Sequence, residues 1–226
     1  MLVLAFDAAT NAVTVAVACA EEDGSREVFA EVSVHSRGAS EALLPAAHDA
    51  LRLAGRDLGA VERILVGVGP GTFTGIRIAA AAARSLALAT GATLSKNSTL
   101  AALAAPALAT GDPPDVLAVL DAKRRQVFAR RFTADGAEDE VLCVAPGDLR
   151  AQGWPLLVGD GAVRYRGQLS AVGRVPPDAS PLHRVTAAGH VLSADLSPVP
   201  AEMVVPLYVR EPDAEARRDL NPWSRS

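Results

Sequence analysis

Lysine, cysteine, histidine and aromatic residues are all scarce in this chain of 226 residues. Lysine occurs only at Lys96 and Lys123, so arginine carries nearly all the positive charge, a bias that reads as genome composition rather than as a site. The two cysteines, Cys19 and Cys143, lie far apart, and neither has a second thiol at ligand spacing. They read as small core residues of a reducing compartment. The histidines are His35, His48, His183 and His190, and no two stand one helical turn apart. The convergent ligand set of a metalloenzyme is therefore missing. No serine sits in a nucleophile elbow, and neither cysteine carries a sequence cue for activation. With 4% aromatic residues, the core has to be built from Ala, Val and Leu. No apolar run approaches the roughly 20 residues of a membrane span. The N-terminus has no basic region and reaches Asp7 too early for a signal peptide. The expected compartment is the cytoplasm. A net charge of -4 and a pI near 5.6 argue against autonomous nucleic-acid binding. The one candidate basic face is Arg124, Arg125, Arg130 and Arg131.

What is present centres on Gly69-Pro70-Gly71-Thr72-Phe73-Thr74-Gly75-Ile76-Arg77. The apolar run Ile64–Val68 leads into it as a buried strand, and an alanine-rich helical pattern follows from about Gly75 to Thr90. Glycines at a strand-to-helix turn suit an anion, because backbone N–H groups and the helix dipole point outward there. They equally suit a tight turn that lets helix and sheet pack closely. The stretch lacks the Gly-Lys-Ser/Thr of a P-loop and the glycine spacing of a dinucleotide fingerprint.

Around this stretch the chain reads as α/β. Leu2–Phe6 is a central strand, a turn follows Asp7, and two alternating segments through Cys19 and over Arg26–His35 complete three antiparallel strands. On the third, Val28, Ala30, Val32 and Val34 share a face. Ser40 is the expected cap of a helix to Ala54, with Pro45 inside it, and Ser98-Thr99 the cap of another to about Leu108. The first two helices are apolar on more than one side, so each is covered twice, by its own fold or by a partner. Thr110–Pro114 reads as a linker. Leu117–Ala122 then repeats the pattern of Val3–Ala8, with Asp121 answering Asp7. Further strands are expected at Pro155–Val158 and Met203–Val209, and a helix at Thr186–Leu196. The divisions are 1–110, 111–209 and a polar tail at 210–226.

The Gly69–Arg77 stretch, with Phe6-Asp7-Ala8-Ala9-Thr10, Leu43-Leu44-Pro45, Ser98-Thr99-Leu100, Leu120–Lys123 and Pro206–Arg210, resembles the bacterial TsaB family nearly end to end. The resemblance implies a duplicated actin-like (ASKHA, ribonuclease H-like) α/β fold with two subdomains around a cleft. It implies a non-catalytic scaffold of TsaD in tRNA N6-threonylcarbamoyladenosine modification, with TsaE in a larger complex and a homodimer when alone. Transfer RNA would be met only through the complex. Ala39 stands where the family often has a histidine, so no role attaches to that position. The alternative is a small-molecule kinase or ATPase of the same fold. Against it, neither hairpin, Asp7–Thr10 nor Asp121–Lys123, has the glycine that lets backbone approach phosphate. Near the expected adenosine region stands only Gly159-Asp160-Gly161. No catalytic residue, metal ligand or resident cofactor is expected. Asp7, Thr10 and Asp121 are candidate relics of a nucleotide site or plain turn formers, with ATP or ADP expected only at the complex interface. For the partner interface the expected centre is Leu44, Leu51, Ile76, Ala80 and Ala83.

Overall fold

Two five-stranded sheets carry the chain. The computed structural model describes residues 1–35, 38–111, 115–137 and 140–210. In chain order the elements are β1 (Leu2–Asp7), β2 (Ala12–Ala20), β3 (Arg26–His35), α1 (Ala39–Leu53), β4 (Arg63–Gly67), α2 (Phe73–Thr90), β5 (Thr93–Asn97) and α3 (Thr99–Leu108). They continue with β6 (Asp115–Lys123), β7 (Gln126–Thr133), β8 (Gly136–Ala137), β9 (Leu142–Val144), β10 (Leu156–Val158), α4 (Asp160–Arg164), α5 (Arg166–Leu169) and α6 (Ala187–Ser193). Most of the expected linker, and the tail from residue 211, lie outside the described residues.

The first sheet has the order β3-β2-β1-β4-β5. β1 pairs antiparallel with β2 and parallel with β4. The second sheet repeats that kernel: β6 pairs antiparallel with β7 and parallel with β10. The duplication read in the sequence is thus a duplication of pairing. It is the actin-like, ribonuclease H-like arrangement in two subdomains.

One face of the first sheet packs on α1 and α2 through Leu4, Phe6, Val15, Leu43, Ala50, Ile64, Ala79 and Ala83. The other face packs on α6 through Val3, Ala5, Ala16, Leu65, Ala187 and Val191. The second sheet takes α3 on one face and α4 and α5 on the other. α3 and α6 cross closely: a Cβ on Gly189 would lie 2.2 Å from the Ala102 carbonyl oxygen. The first N–H groups of α6 are satisfied from the sheet beneath, Ala187 N–H donating to Thr14 Oγ1 and Ala188 N–H to Glu31 Oε1, each at 3.0 Å. So the chain after the second sheet returns to the first. It then straps both: Val199 bridges Leu94, Leu207 N–H donates to Val68 O, and Val209 packs into the second core.

Local details correct three expectations. Gly38, not Ser40, holds the N-cap position of α1, its carbonyl accepting from Glu41 and Ala42, and Ser40 lies inside the first turn. In β3 a register shift opposite Val17 and Ala18 inserts Phe29, so Phe29 joins Val32 and Val34 on the core face and Val28 turns outward. No strand forms over Met203–Val209; a short turn at Ala201–Met203 leads into an extended segment. Pro206 supplies no N–H in the middle of that segment, which breaks any ladder.

Candidate functional site

Strand β1 ends on Asp7, and Asp7 is completely buried. Its Oδ1 accepts the Ala9 N–H at 2.5 Å, closing the hairpin turn. Its Oδ2 accepts the Thr99 hydroxyl at 2.7 Å and lies 2.9 Å from His190 Nε2. Burial alone would raise the carboxyl pKa; the hydrogen bond and charge of His190, with the bonds from Thr99 and Ala9, outweigh it and hold Asp7 below the ordinary aspartate value. Space for this carboxylate comes from Gly67, where a Cβ would lie 1.9 Å from Oδ2. Asp7 therefore joins the first turn of α3 and the middle of α6 to the end of β1.

The glycine-rich stretch lies beside it. Thr72 N–H donates to Ala9 O at 2.7 Å. A Cβ on Gly71 would fall 2.3 Å from Ala9 O, and one on Gly75 would fall 1.8 Å from Ala8 O. Both glycines face the β1–β2 hairpin. Of the two sequence readings, close packing of helix on sheet is the one these contacts support. Next to the turn opens a cleft of about 610 Å³, lined by Ala8, Thr10, Asn11, His35, Ala39, Thr72, Thr74 and Gly75. Its polar groups are hydroxyls, one amide and one imidazole. Thr10 is in its wall, while Asp7 is not.

The second hairpin is built differently. Asp121 lies two residues before the end of the matching strand, and its carboxylate accepts Lys123 N–H at 2.9 Å and pairs with Lys123 Nζ at 3.0 Å and Arg164 Nε at 3.7 Å. Asp160 Oδ1 accepts the Asp121 N–H at 2.9 Å. Burial is the main cause that raises the Asp160 pKa, with the nearby Asp121 charge adding to it. Gly159 and Gly161 back onto β6; a Cβ on Gly159 would lie 2.1 Å from Val119 O. These glycines are packing residues, like those of the first half. Lys123, Arg124 and Arg125 all have positive φ, at 62°, 51° and 60°. For residues with a Cβ that conformation costs roughly 1–2 kcal/mol each. Among the described residues there is no group of three or more His, Cys, Asp or Glu placed to hold a metal ion.

The structure redistributes the five residues expected at a partner interface. Leu44 is 54% exposed, but Leu51, Ile76, Ala80 and Ala83 are buried, Ala80 to 4%. The inward stripes are Leu43–Ala47–Ala50–Leu51 on α1 and Ile76–Ala79–Ala80–Ala83 on α2. Both helices carry apolar residues on two faces, and periodicity alone does not distinguish the face a sheet covers. The outward face is Leu44 and His48 on α1 with Arg77, Ala81, Ser85 and Leu88 on α2. Leu88 is 90% exposed.

At the start of α2 this face meets the strap. The Arg77 guanidinium lies 3.6 Å from the Phe73 ring centroid, and its Nε donates to the Tyr208 hydroxyl at 2.6 Å. The two rings are 5.2 Å apart and tilted by 37°. Arg84 and Lys96 donate to the Val204 and Met203 carbonyls, at 2.6 and 3.1 Å, and fix the strap along the helix. Phe73, Tyr208 and Leu207 stay partly exposed. The motif Pro206–Arg210 was visible in the sequence; its contact with Arg77 was not, since 131 residues separate Arg77 from Tyr208.

The family described as TsaD, tRNA N6-adenosine threonylcarbamoyltransferase, matches residues 33–143. An uncharacterized protein of Mycobacterium tuberculosis is 32% identical over 219 residues, covering 94% of this chain and 93% of its own. The tRNA threonylcarbamoyladenosine biosynthesis protein TsaB of Escherichia coli is 33% identical over 135 residues, 60% of this chain and 56% of that one. Among solved structures, YeaZ from Pseudomonas aeruginosa superposes with a TM-score of 0.74 at 25% identity, over 92% of this chain and 99% of that chain.

Proposed function

Because this chain belongs to the TsaB family, we propose that it works in tRNA N6-threonylcarbamoyladenosine biosynthesis as a non-catalytic subunit that pairs with TsaD. One observation carries the non-catalytic part. The strand-end carboxylate that an actin-like enzyme would turn toward its substrate is here buried, with its oxygens engaged by Ala9, Thr99 and His190. A group so enclosed neither reaches a substrate nor exchanges a proton with one. No helix among the described residues is long and apolar enough to cross a membrane, in keeping with work on tRNA in the cytoplasm.

The pairing surface in this reading is the outward face of α1 and α2, from Leu44 to Leu88, with the Phe73–Arg77–Tyr208 edge at its rim. Aromatic residues and arginine are enriched in interfaces, and large exposed apolar groups mark them. The same face serves a homodimer when TsaD is absent, so the two assemblies compete. TsaE joins the pair in a larger complex, and ATP or ADP binds only where the subunits meet. Titration of the isolated chain with ATP separates this from a kinase or ATPase, which binds nucleotide alone.

The direct test is co-expression with TsaD from the same host, followed by light scattering. A stoichiometric complex is expected. Leu88→Glu puts a carboxylate at the most exposed apolar position of the face. It is expected to weaken pairing at least tenfold, a loss of about 1.4 kcal/mol or more, with an unchanged circular dichroism spectrum. Undiminished pairing would remove this face from the reading. Absence of any complex with TsaD would remove the function itself.

A further inference from the structure

We propose that Arg77, held between Phe73 and Tyr208, is a preformed site for one carboxylate of the pairing partner. This rests on the reading above that the chain pairs with TsaD through the outward face of α1 and α2. It adds the chemistry that TsaD brings to the rim of that face: an aspartate or glutamate side chain.

Arg77 stands in the second turn of α2 and is exposed. Long side chains on a helix lean back toward its N-terminus. The guanidinium accordingly lies over the ring of Phe73, the first residue of the helix, 3.6 Å from its centroid. That is the positive end of the helix dipole, where a cation is disfavoured. The first turn of α2 holds no acidic residue to offset it. Among the described residues Arg77 forms no ion pair, and its hydrogen bond runs from Nε to the Tyr208 hydroxyl at 2.6 Å. The two rings hold the cation without neutralising it. On a chain whose net charge is -4, this positive group is left for something else.

The arrangement leaves a fork open. A guanidinium carries five N–H donors, and the bond from Nε uses one of them. The donors on the two Nη atoms have no acceptor among the described residues. Tyr208 accepts from Nε through its oxygen, so its own proton is also free to donate. Paired N–H donors in one plane match the two oxygens of a carboxylate. Stacking on Phe73 and the bond to Tyr208 fix that plane before the partner arrives, which lowers the ordering cost of binding. Phe73 and Tyr208 are 37% and 43% exposed. Docking would cover these rings and keep water from the ion pair between them.

The test follows pairing of the full chain with TsaD by isothermal titration at low and high salt. Arg77→Gln is expected to weaken pairing about tenfold or more, the size of an interface anchor, and to make it less sensitive to salt. Arg77→Lys keeps the charge but not the fork, and is expected to recover part of that loss. It also places an amine at position 77, which a carbodiimide joins to a carboxylate in contact with it. Mass spectrometry is expected to find position 77 linked to one aspartate or glutamate of TsaD. Changing that TsaD residue to its amide is expected to weaken pairing as much as Arg77→Gln does, and to add little on top of it, the mark of a coupled pair. The TsaD variant leaves this chain intact, so the measurement stands even where Arg77→Gln folds poorly. Undiminished pairing by Arg77→Gln would overturn the proposal and leave the pairing reading in place. Two losses that simply add would do the same, since a loosened strap gives that result. Dependence on Arg77 only with ATP or ADP present would assign the fork to a phosphate and would also overturn the proposal. Absence of any wild-type complex with TsaD would remove the function reading and this proposal together.

Discussion

Ala80→Arg is expected to unfold the protein, and Ala81→Arg to leave it folded but unable to pair with TsaD. The two positions are adjacent on α2 and point about 100° apart, which carries one into the core and the other out to the surface. Ala80 is buried against the first core beside Ala47, Ala50 and Ala83. Overfilling such a site costs about 1–3 kcal/mol, and a buried charge without a partner adds several more. Against a total stability of about 5–15 kcal/mol, that sum abolishes the native state or leaves it marginal. Ala81 is exposed, between Arg77 and Ser85 on the outward face. A surface substitution there changes stability by about 0.5 kcal/mol or less. Circular dichroism and light scattering of both variants, alone and with TsaD, make the comparison. Native-like melting of Ala80→Arg would show that the inward stripe is misassigned. Normal pairing by Ala81→Arg would show that TsaD docks elsewhere.

Asp7→Ala is expected to destabilise the chain by about 3–5 kcal/mol, the cost of stripping one partner from a buried pair. Thr99 and His190 would lose their shared acceptor, and the first turns of the β1–β2 hairpin and α3 would lose their tie. Asp7→Asn keeps the volume but not the charge, so its loss is expected to be smaller. The pH dependence has a defined sign. Asp7 has a folded-state pKa lowered from the ordinary 3.8. Its contribution is therefore full above the unfolded value and disappears as pH falls from about 4 through the lower folded value. Urea unfolding at pH 7 and at successive steps below pH 4 reads this out. Wild type is expected to lose stability over that acid range more steeply than Asp7→Asn. Parallel acid limbs in the two proteins would show that Asp7 is neutral in the folded state.

How much of this was legible beforehand depends on range in sequence. The strand-Asp-hairpin repeat, the helix after Gly75 and the double apolar faces of α1 and α2 are local patterns, and all are in the fold. The choice of face is not local. Alanine at both 80 and 81 gives no gradient of hydrophobicity to orient the helix, so the sheet decides. Asp7 was readable as a turn residue, but Thr99 and His190 stand 92 and 183 residues away from it. Only the crossing of α3 and α6 brings them to the same carboxylate. The Phe29 bulge and the interruption at Pro206 each change one segment, the first by one extra residue and the second by one missing donor. Of these, Pro206 carried its own signal in the sequence.

The return of α6 to the first sheet has a consequence for synthesis on the ribosome. Residues 2–97 supply every strand of that sheet, yet the cover for Val3, Ala5, Ala16, Ala18 and Leu65 comes from Ala187, Val191 and Ala194. While the intervening 90 or so residues are being made, at roughly 5–20 per second, the nascent sheet holds one apolar face bare for several seconds. The first half of this chain is therefore a repeat whose sheet stays covered on one face alone until the crossing helix arrives.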